Sequence, residues 1–304
     1  AGVGKLALAE HLATRLLCES PTPDGEACGR CDGCRWVASG NHPDLRRIEP
    51  DALAIQRSDV EDSAPRTERG TRAAKPSLEI KIDQVRELSD FLYLGSHRGR
   101  HRVAIVHPAE AMNVHAANAL LKGLEEPPPS AMFLLVSHQP ARLLPTIRSR
   151  CVVVSVPRPP ERAALAWLEA QGQSSDAAKW LAFAGGSPRA AYEYAAGERG
   201  ALTTPFLAAI ARGEPESIPE ASNRETLEAM AEVLQKHAID RVTESLAGRR
   251  IYGTQAPAGT GSDSALDWSR FARSMGRARL LTSHPVNPKL FSAELLFMLS
   301  KLSK

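Results

Sequence analysis

Val103-Ala104-Ile105-Val106 is an apolar run with no polar residue inside it. A strand with one wet face alternates apolar and polar side chains. A run without a polar face has to be covered on both sides, as in the interior of a parallel sheet. MFLLV (132–136) and CVVVSV (151–156) have the same character and read as two more buried strands. LRRIEP (45–50) reads as a further short strand. Between the runs the spacing changes to a helical period. Ala9, Leu12, Ala13, Leu16 and Leu17 fall on one face of a helix over 6–18. Ile82, Val85, Leu88 and Leu92 do the same within 80–94, with Asp83 near the helix start. AANALLKGLEE continues helical until Pro127-Pro128-Pro129 stops it. Apolar strands alternating with helices predict an α/β domain whose parallel sheet is covered on both faces.

After Val156 the strand signal ends. ERAALAWLEAQG, the turn at Gly185-Gly186-Ser187-Pro188-Arg189 and everything from Ala201 to Lys304 read as helices and turns. QRSDVEDSAPRTERGTRAAKPS (56–77) has almost no apolar content and reads as a mobile surface loop. TQAPAGTGSDS (254–264) reads as a flexible connector. No internal repeat is visible. The expected order is an α/β nucleotide-fold domain, a small helical domain and a larger helical domain, which 304 residues can supply with cores of their own.

The chain opens on Ala1-Gly2-Val3-Gly4-Lys5, the second half of a phosphate-binding loop, without an initiator Met. The expectation is that a strand and some upstream sequence belong in front of it. Gly2 and Gly4 let backbone N–H groups face an anion at a helix start, and Lys5 reaches the outer phosphates. These residues also fit a glycine turn before a surface helix. A working loop has Ser or Thr after the lysine, to hold magnesium. Here that residue is Leu6, which has no oxygen. The second metal-holding group belongs at the end of a buried strand, usually as Asp-Glu. The VAIV strand ends in His107-Pro108, and Glu110 comes too late to be taken as the equivalent. With both magnesium contacts missing, the site reads as hydrolytically inert, with ATP bound weakly or not at all.

The chain has five cysteines, four of them within residues 18–34 and one at Cys151. Clustering of this kind in a chain of this size points to metal binding in a reducing compartment, and so to the cytoplasm. Cys28, Cys31 and Cys34 are spaced by two residues, and Cys18 lies upstream. Four thiolates at short reach suit tetrahedral Zn²⁺ and leave no open position for water, so the metal would be structural. An iron–sulfur cluster and four free thiols are the alternatives, although the ferredoxin-type run continues to a fourth Cys followed by Pro, which is absent here. Cys151 opens an apolar run and reads as buried and unreactive. Net charge is +3, which demands no nucleic-acid partner, and no apolar run is long enough to span a membrane.

The order of motifs is more specific than any one of them. AGVGK is followed by the cysteine module, HPDLRRIEP, IDQVREL, then NALLKGLEEPPPSAMFLLVSHQPARLLPTIRSRC and GGSPRAA. This series resembles the clamp-loader branch of the AAA+ proteins, with NALLKGLEEPP and LLPTIRSRC the most specific parts. HPVNPKLFSAELL (284–296) resembles a helix of the branch's oligomerisation domain. The resemblance implies an AAA+ P-loop domain over 1–156 with an inserted zinc module at 18–34. A helical lid over 157–205 and a helical collar over 206–304 would follow.

Within that branch, motor subunits keep a working loop. Another bacterial subunit type often has both metal contacts degraded while keeping the cysteine module and a Ser-Arg-Cys motif. Leu6 and His107-Pro108 resemble the second type. By that resemblance Arg150, in Ser149-Arg150-Cys151, is an arginine finger acting in trans on a neighbour's ATP, with Ser149 beside it and Arg148 in a supporting role. Arg189 matches the second nucleotide sensor, and Ser137-His138 falls at the first. Lys122, Glu125 and Glu126 read as a solvated helix face near a subunit contact. The implied partners are ATPase (tau/gamma-type) subunits, a delta subunit that holds the sliding clamp open, the clamp itself and primer–template DNA. The chain would then be a non-catalytic subunit of the polymerase holoenzyme. A motor subunit with an unusual metal site and a zinc-containing DNA-binding protein outside replication are the alternatives. Arg98, Arg100 and Arg102 precede the VAIV strand and read as a basic turn, with direct DNA contact as the alternative.

Overall fold

The computed structural model describes residues 2–55, 76–93, 101–173, 175–213, 217–255, 264–282, 284 and 286–302. The chain divides into two compact units, Gly4–Val156, and Ala1–Val3 with Pro157–Lys304. Nearly all of the loop read at 56–77, most of the connector at 254–264, and Arg98 and Arg100 lie outside the described residues.

The first unit is a mixed α/β structure with a parallel sheet. Its α-helices and strands, among the described residues, are α1 (Lys5–Leu17), α2 (Asp32–Ala38), β1 (Leu45–Ile48), α3 (Ile82–Tyr93), β2 (Arg102–Val106), α4 (Val114–Glu125), β3 (Ala131–Leu135) and the single turn α5 (Pro145–Arg148). The three strands run parallel in the order β1-β2-β3, with Val103 opposite Leu45 on one side and Met132 on the other. Every residue of β2 is buried. Its side chains alternate between two cores. Ala104 and Val106 join Val85, Leu88, Leu92, Ala116 and Leu120 from α3 and α4. Val103 and Ile105 join Ala9, Ala13 and Leu17 from α1. This is why the run carries no polar face: each residue meets a helix layer whichever way it points. Gly123 lets α4 lie close on the sheet, because a Cβ there would meet the Phe133 ring at 3.2 Å.

One expected strand does not form. Residues 151–156 make no ladder, and Val152, Val153 and Val154 are 93%, 69% and 75% exposed. A buried parallel strand needs a neighbour to take its backbone hydrogen bonds. Among the described residues none flanks this segment, so its apolar composition is not matched by burial. Cys151 is correspondingly only half-buried, and burial raises its thiol pKa above the usual value. Arg102 also departs from the reading of a basic turn. Its side chain is buried, lies over the Phe91 ring at 4.7 Å, and pairs with the buried Asp44 at 3.4 Å. It fastens β2 to the start of β1 and is not available to DNA.

The named elements of the second unit, among the described residues, are all helices: α6 (Glu161–Ala170), α7 (Ala177–Phe183), α8 (Pro188–Ala196), α9 (Glu198–Arg212), α10 (Arg224–Ala247), α11 (Ala265–Leu281) and α12 (Pro288–Ser300). Its long α10 begins with a capping box in which Asn223 and Thr226 satisfy one another's backbone N–H groups. α10 also carries a buried carboxylate. Glu232 accepts hydrogen bonds from Tyr194 Oη at 2.7 Å and Arg199 Nη2 at 2.8 Å, and pairs with Lys236 Nζ at 2.9 Å. Burial alone would raise its pKa, but Lys236 and Arg199 bring it down to about 2. Burial likewise pushes Lys236 below the ordinary lysine value, and Glu232 returns part of that.

Glu232→Ala leaves Lys236 buried without its carboxylate and is expected to cost about 3 kcal/mol in urea denaturation. A carboxylate with a depressed folded-state pKa stabilises the fold above its unfolded value and loses that contribution as pH falls through the folded one. The wild-type advantage over Glu232→Ala should therefore hold at pH 6 and fade between the usual value of 4.5 and about 2. Equal stability of the two proteins at pH 6 would contradict this.

Candidate functional site

The ends of β2 and β3 lie near the start of α1, where ligands of open parallel sheets are bound. Gly4 precedes α1 with φ 88°, and Lys5 is the first helical residue. Gly2 has φ 81°, and its carbonyl accepts the Arg189 N–H at 3.2 Å. A Cβ on Gly2 would sit 2.8 Å from the Ala190 Cβ, so this glycine is required by packing as well as by its backbone angle. Arg189 itself lies in the first turn of α8 with an exposed side chain. Leu6 packs with the α1 core residues and offers no metal ligand.

At the strand ends stand His107 after β2 and His138 after β3, with their Nε2 atoms 3.0 Å apart. Burial lowers the His138 pKa, and the charge of Lys5 adds to the effect. Glu110 is the nearest acidic residue in sequence, but its carboxylate accepts the His138 N–H at 3.0 Å and the Gln139 N–H at 3.1 Å. Burial opposes its ionisation, and these backbone donors outweigh that, so its pKa is lowered. Glu110 thus orders the turn after β3. The His107–His138 contact joins residues 31 apart in sequence, and no spacing rule would have found it.

Arg150 follows α5 and is held on three sides. Its Nε donates to Glu125 Oε1 at 2.6 Å, and Nη2 reaches the same oxygen at 2.5 Å. Nη1 donates to the Thr146 carbonyl at 3.0 Å and to Ser149 Oγ at 3.3 Å. The side chain is 35% exposed. Arg148 ends α5 with an exposed side chain. Glu125, read from sequence as part of a solvated face with Lys122 and Glu126, is therefore the arginine's ion-pair partner.

The four clustered cysteines converge. Their Sγ atoms all lie within 4.8 Å of one another, with Cys18–Cys31 at 3.9 Å and Cys28–Cys34 at 4.0 Å. Thiolates about 2.3 Å from a tetrahedral Zn²⁺ lie about 3.8 Å apart. Backbone N–H groups of Cys28, Cys31 and Cys34 point at the sulfurs of Cys18, Cys28 and Cys31, at 3.3, 3.4 and 3.4 Å. Donors of this kind favour thiolates. The N–H groups of Arg30 and Cys31 lower Cys28 to about 6, while burial pushes Cys34 up to about 12. A divalent cation at the centre would reverse the pressure on Cys34. Distances, donor set and closure of the site all fit a four-coordinate metal.

Comparison with known proteins bears on the family of the chain. Residues 1–160 match the family described as "DNA polymerase III, delta subunit". DNA polymerase III subunit delta' of Pseudomonas aeruginosa is 45% identical over 192 residues, covering 62% of this chain and 51% of that protein. The chain thus spans about half the length of that relative. The Escherichia coli subunit delta' is 30% identical over 262 residues, covering 84% of this chain and 71% of the relative. The Escherichia coli subunit tau is 36% identical over 154 residues, which are 50% of this chain and 19% of tau. The chain matches delta' sequences well beyond the region it shares with tau, and on that breadth of similarity it belongs to the delta-prime family of DNA polymerase III clamp-loader subunits.

Proposed function

We propose that this chain works as a clamp-loader subunit without ATP turnover of its own, lending Arg150 to the ATP site of a neighbouring tau/gamma-type ATPase. The observation that carries the reading is the contrast between its two ends of chemistry. Leu6 offers no oxygen after Lys5, His107 stands where a carboxylate would follow the strand, and Glu110 is engaged by the His138 and Gln139 N–H groups. Arg150 instead sits on an exposed turn with its guanidinium already ordered. A planar, permanently charged fork is the group suited to offset charge on a phosphoryl group in transfer. Gly2, Gly4, Lys5 and Arg189 then serve as inherited scaffold, retaining at most a weak phosphate affinity.

On this reading residues 157–205 act as a lid and 206–304 join equivalent regions of the ATPase and delta subunits in a collar. ATP binding by the neighbours opens the assembly, delta holds the sliding clamp, and primer–template DNA triggers hydrolysis and release. Cys18, Cys28, Cys31 and Cys34 hold structural zinc, and the protein acts in the cytoplasm. Similarity to tau supports an assembly of related subunits. No described helix is long and apolar enough to cross a membrane.

Two measurements test the proposal. Calorimetry with Mg-ATP on the isolated chain should show little binding, and no phosphate release should follow. Size-exclusion chromatography with tau and delta should give a single complex. Tight binding with turnover would instead make the chain a motor subunit. Failure to join tau and delta would favour a zinc protein outside replication.

A further inference from the structure

We propose that Glu125 is a positioning residue that holds Arg150 back until a neighbour's nucleotide draws it away. The proposal rests on the arginine-finger reading above and adds a control element to it. A guanidinium has five N–H donors, and bidentate recognition of a phosphate uses two of them side by side. Glu125 takes the Nε–H and one Nη2–H, while Thr146 and Ser149 take Nη1. With Glu125 in place the guanidinium has no pair of adjacent donors left. Release of Glu125 frees the Nε/Nη2 edge as a fork, and the two Nη1 contacts keep the group aimed.

The placement of Glu125 supports a role beyond helix stability. It is the last residue of α4, and Glu126 follows as the cap. A carboxylate at a helix C-terminus faces the negative end of the helix dipole and is locally unfavourable. The residue is therefore poorly explained by its own helix and well explained by the arginine across from it. The strength of the pair also suits a latch. Glu125 is 48% exposed and Arg150 35%. Partly exposed pairs of this kind shift an equilibrium only about two- to fivefold, which a triphosphate with its greater charge can overcome.

The test uses the reconstituted complex carrying wild type, Glu125→Gln, Arg150→Ala or both. ATPase rates are measured without clamp and DNA, and again with both saturating. Without them finger engagement is rare, so Glu125→Gln should raise the rate at the site Arg150 faces about two- to fivefold, and the total rate by that site's share. At saturation engagement is nearly complete, so the maximal rate should stay unchanged. The gain should vanish in the double variant. A merely structural carboxylate would not produce that split. If Arg150→Ala lowers the rate but Glu125→Gln leaves the unstimulated rate unchanged or reduces it, the latch is wrong and the finger stands. The latch is also wrong if the Glu125→Gln gain persists in the double variant. If Arg150→Ala leaves the saturated rate unchanged, the finger reading falls and the latch with it.

Discussion

Arg150→Ala is expected to leave the chain folded and assembled while slowing hydrolysis at the ATP site it faces by about 10³-fold. The small structural effect follows from its surroundings. Arg150 is 35% exposed and bonds to one partly exposed carboxylate, one carbonyl and one hydroxyl. Loss of such a pair changes stability by less than about 1 kcal/mol. The large kinetic effect follows from what a guanidinium does in phosphoryl transfer, where it meets charge that develops only in the transition state. Total ATPase of the reconstituted complex should fall by the share of the site that Arg150 faces. Clamp loading, which needs the whole cycle, should fall further. Arg150→Lys keeps the charge and loses the fork, so it should rescue only part of the rate. Equal rates for wild type and Arg150→Ala at saturating clamp and DNA would end the assignment.

The same physical distinction separates what the sequence discloses from what it conceals. Local spacing was legible. The VAIV run and the proline stop after α4 follow from neighbours in sequence, and the structure places them as the pattern predicts; of the stripe on α1, Ala9, Ala13 and Leu17 are buried, while Leu12 is 42% exposed. The cysteine module was legible for the same reason, because two-residue gaps confine three sulfurs to one neighbourhood.

Features that depend on partners far along the chain were not. CVVVSV has the composition of a buried strand, but composition does not say whether a neighbour lies alongside. Arg102 looked like one cation of a basic turn until Asp44 and Phe91 enclosed it. Glu125 and Arg150 are 25 residues apart, and nothing in either motif announces that they meet.

Metal analysis of the purified chain should give one zinc per molecule, and Cys34→Ser should abolish it. Of the four thiols Cys34 is the one within a helix and, with Cys18, fully buried. That helix, α2, has seven residues, too few to persist in water by hydrogen bonding alone. Its start is capped by Cys31, whose sulfur accepts the Cys34 N–H. The loop before it has almost no apolar side chains to bury. Folding of this region is then largely metal binding, and loss of the ion should release residues 18–40 as a unit. Limited trypsin digestion should detect it as new cleavage at Arg30 and Arg35.

The damage should reach the end of α1, because Gly33 packs so tightly there that a Cβ would sit 2.5 Å from the Leu17 carbonyl. It should stop short of the sheet. Val103 and Ile105 rest not only on Leu17 but also on Ala13 and Ala9, one and two turns further back along α1. The expected variant is therefore partly unfolded at the module, with the parallel sheet intact. Iron in place of zinc, or a metal-free protein with the same protease resistance, would show that the four sulfurs meet for another reason.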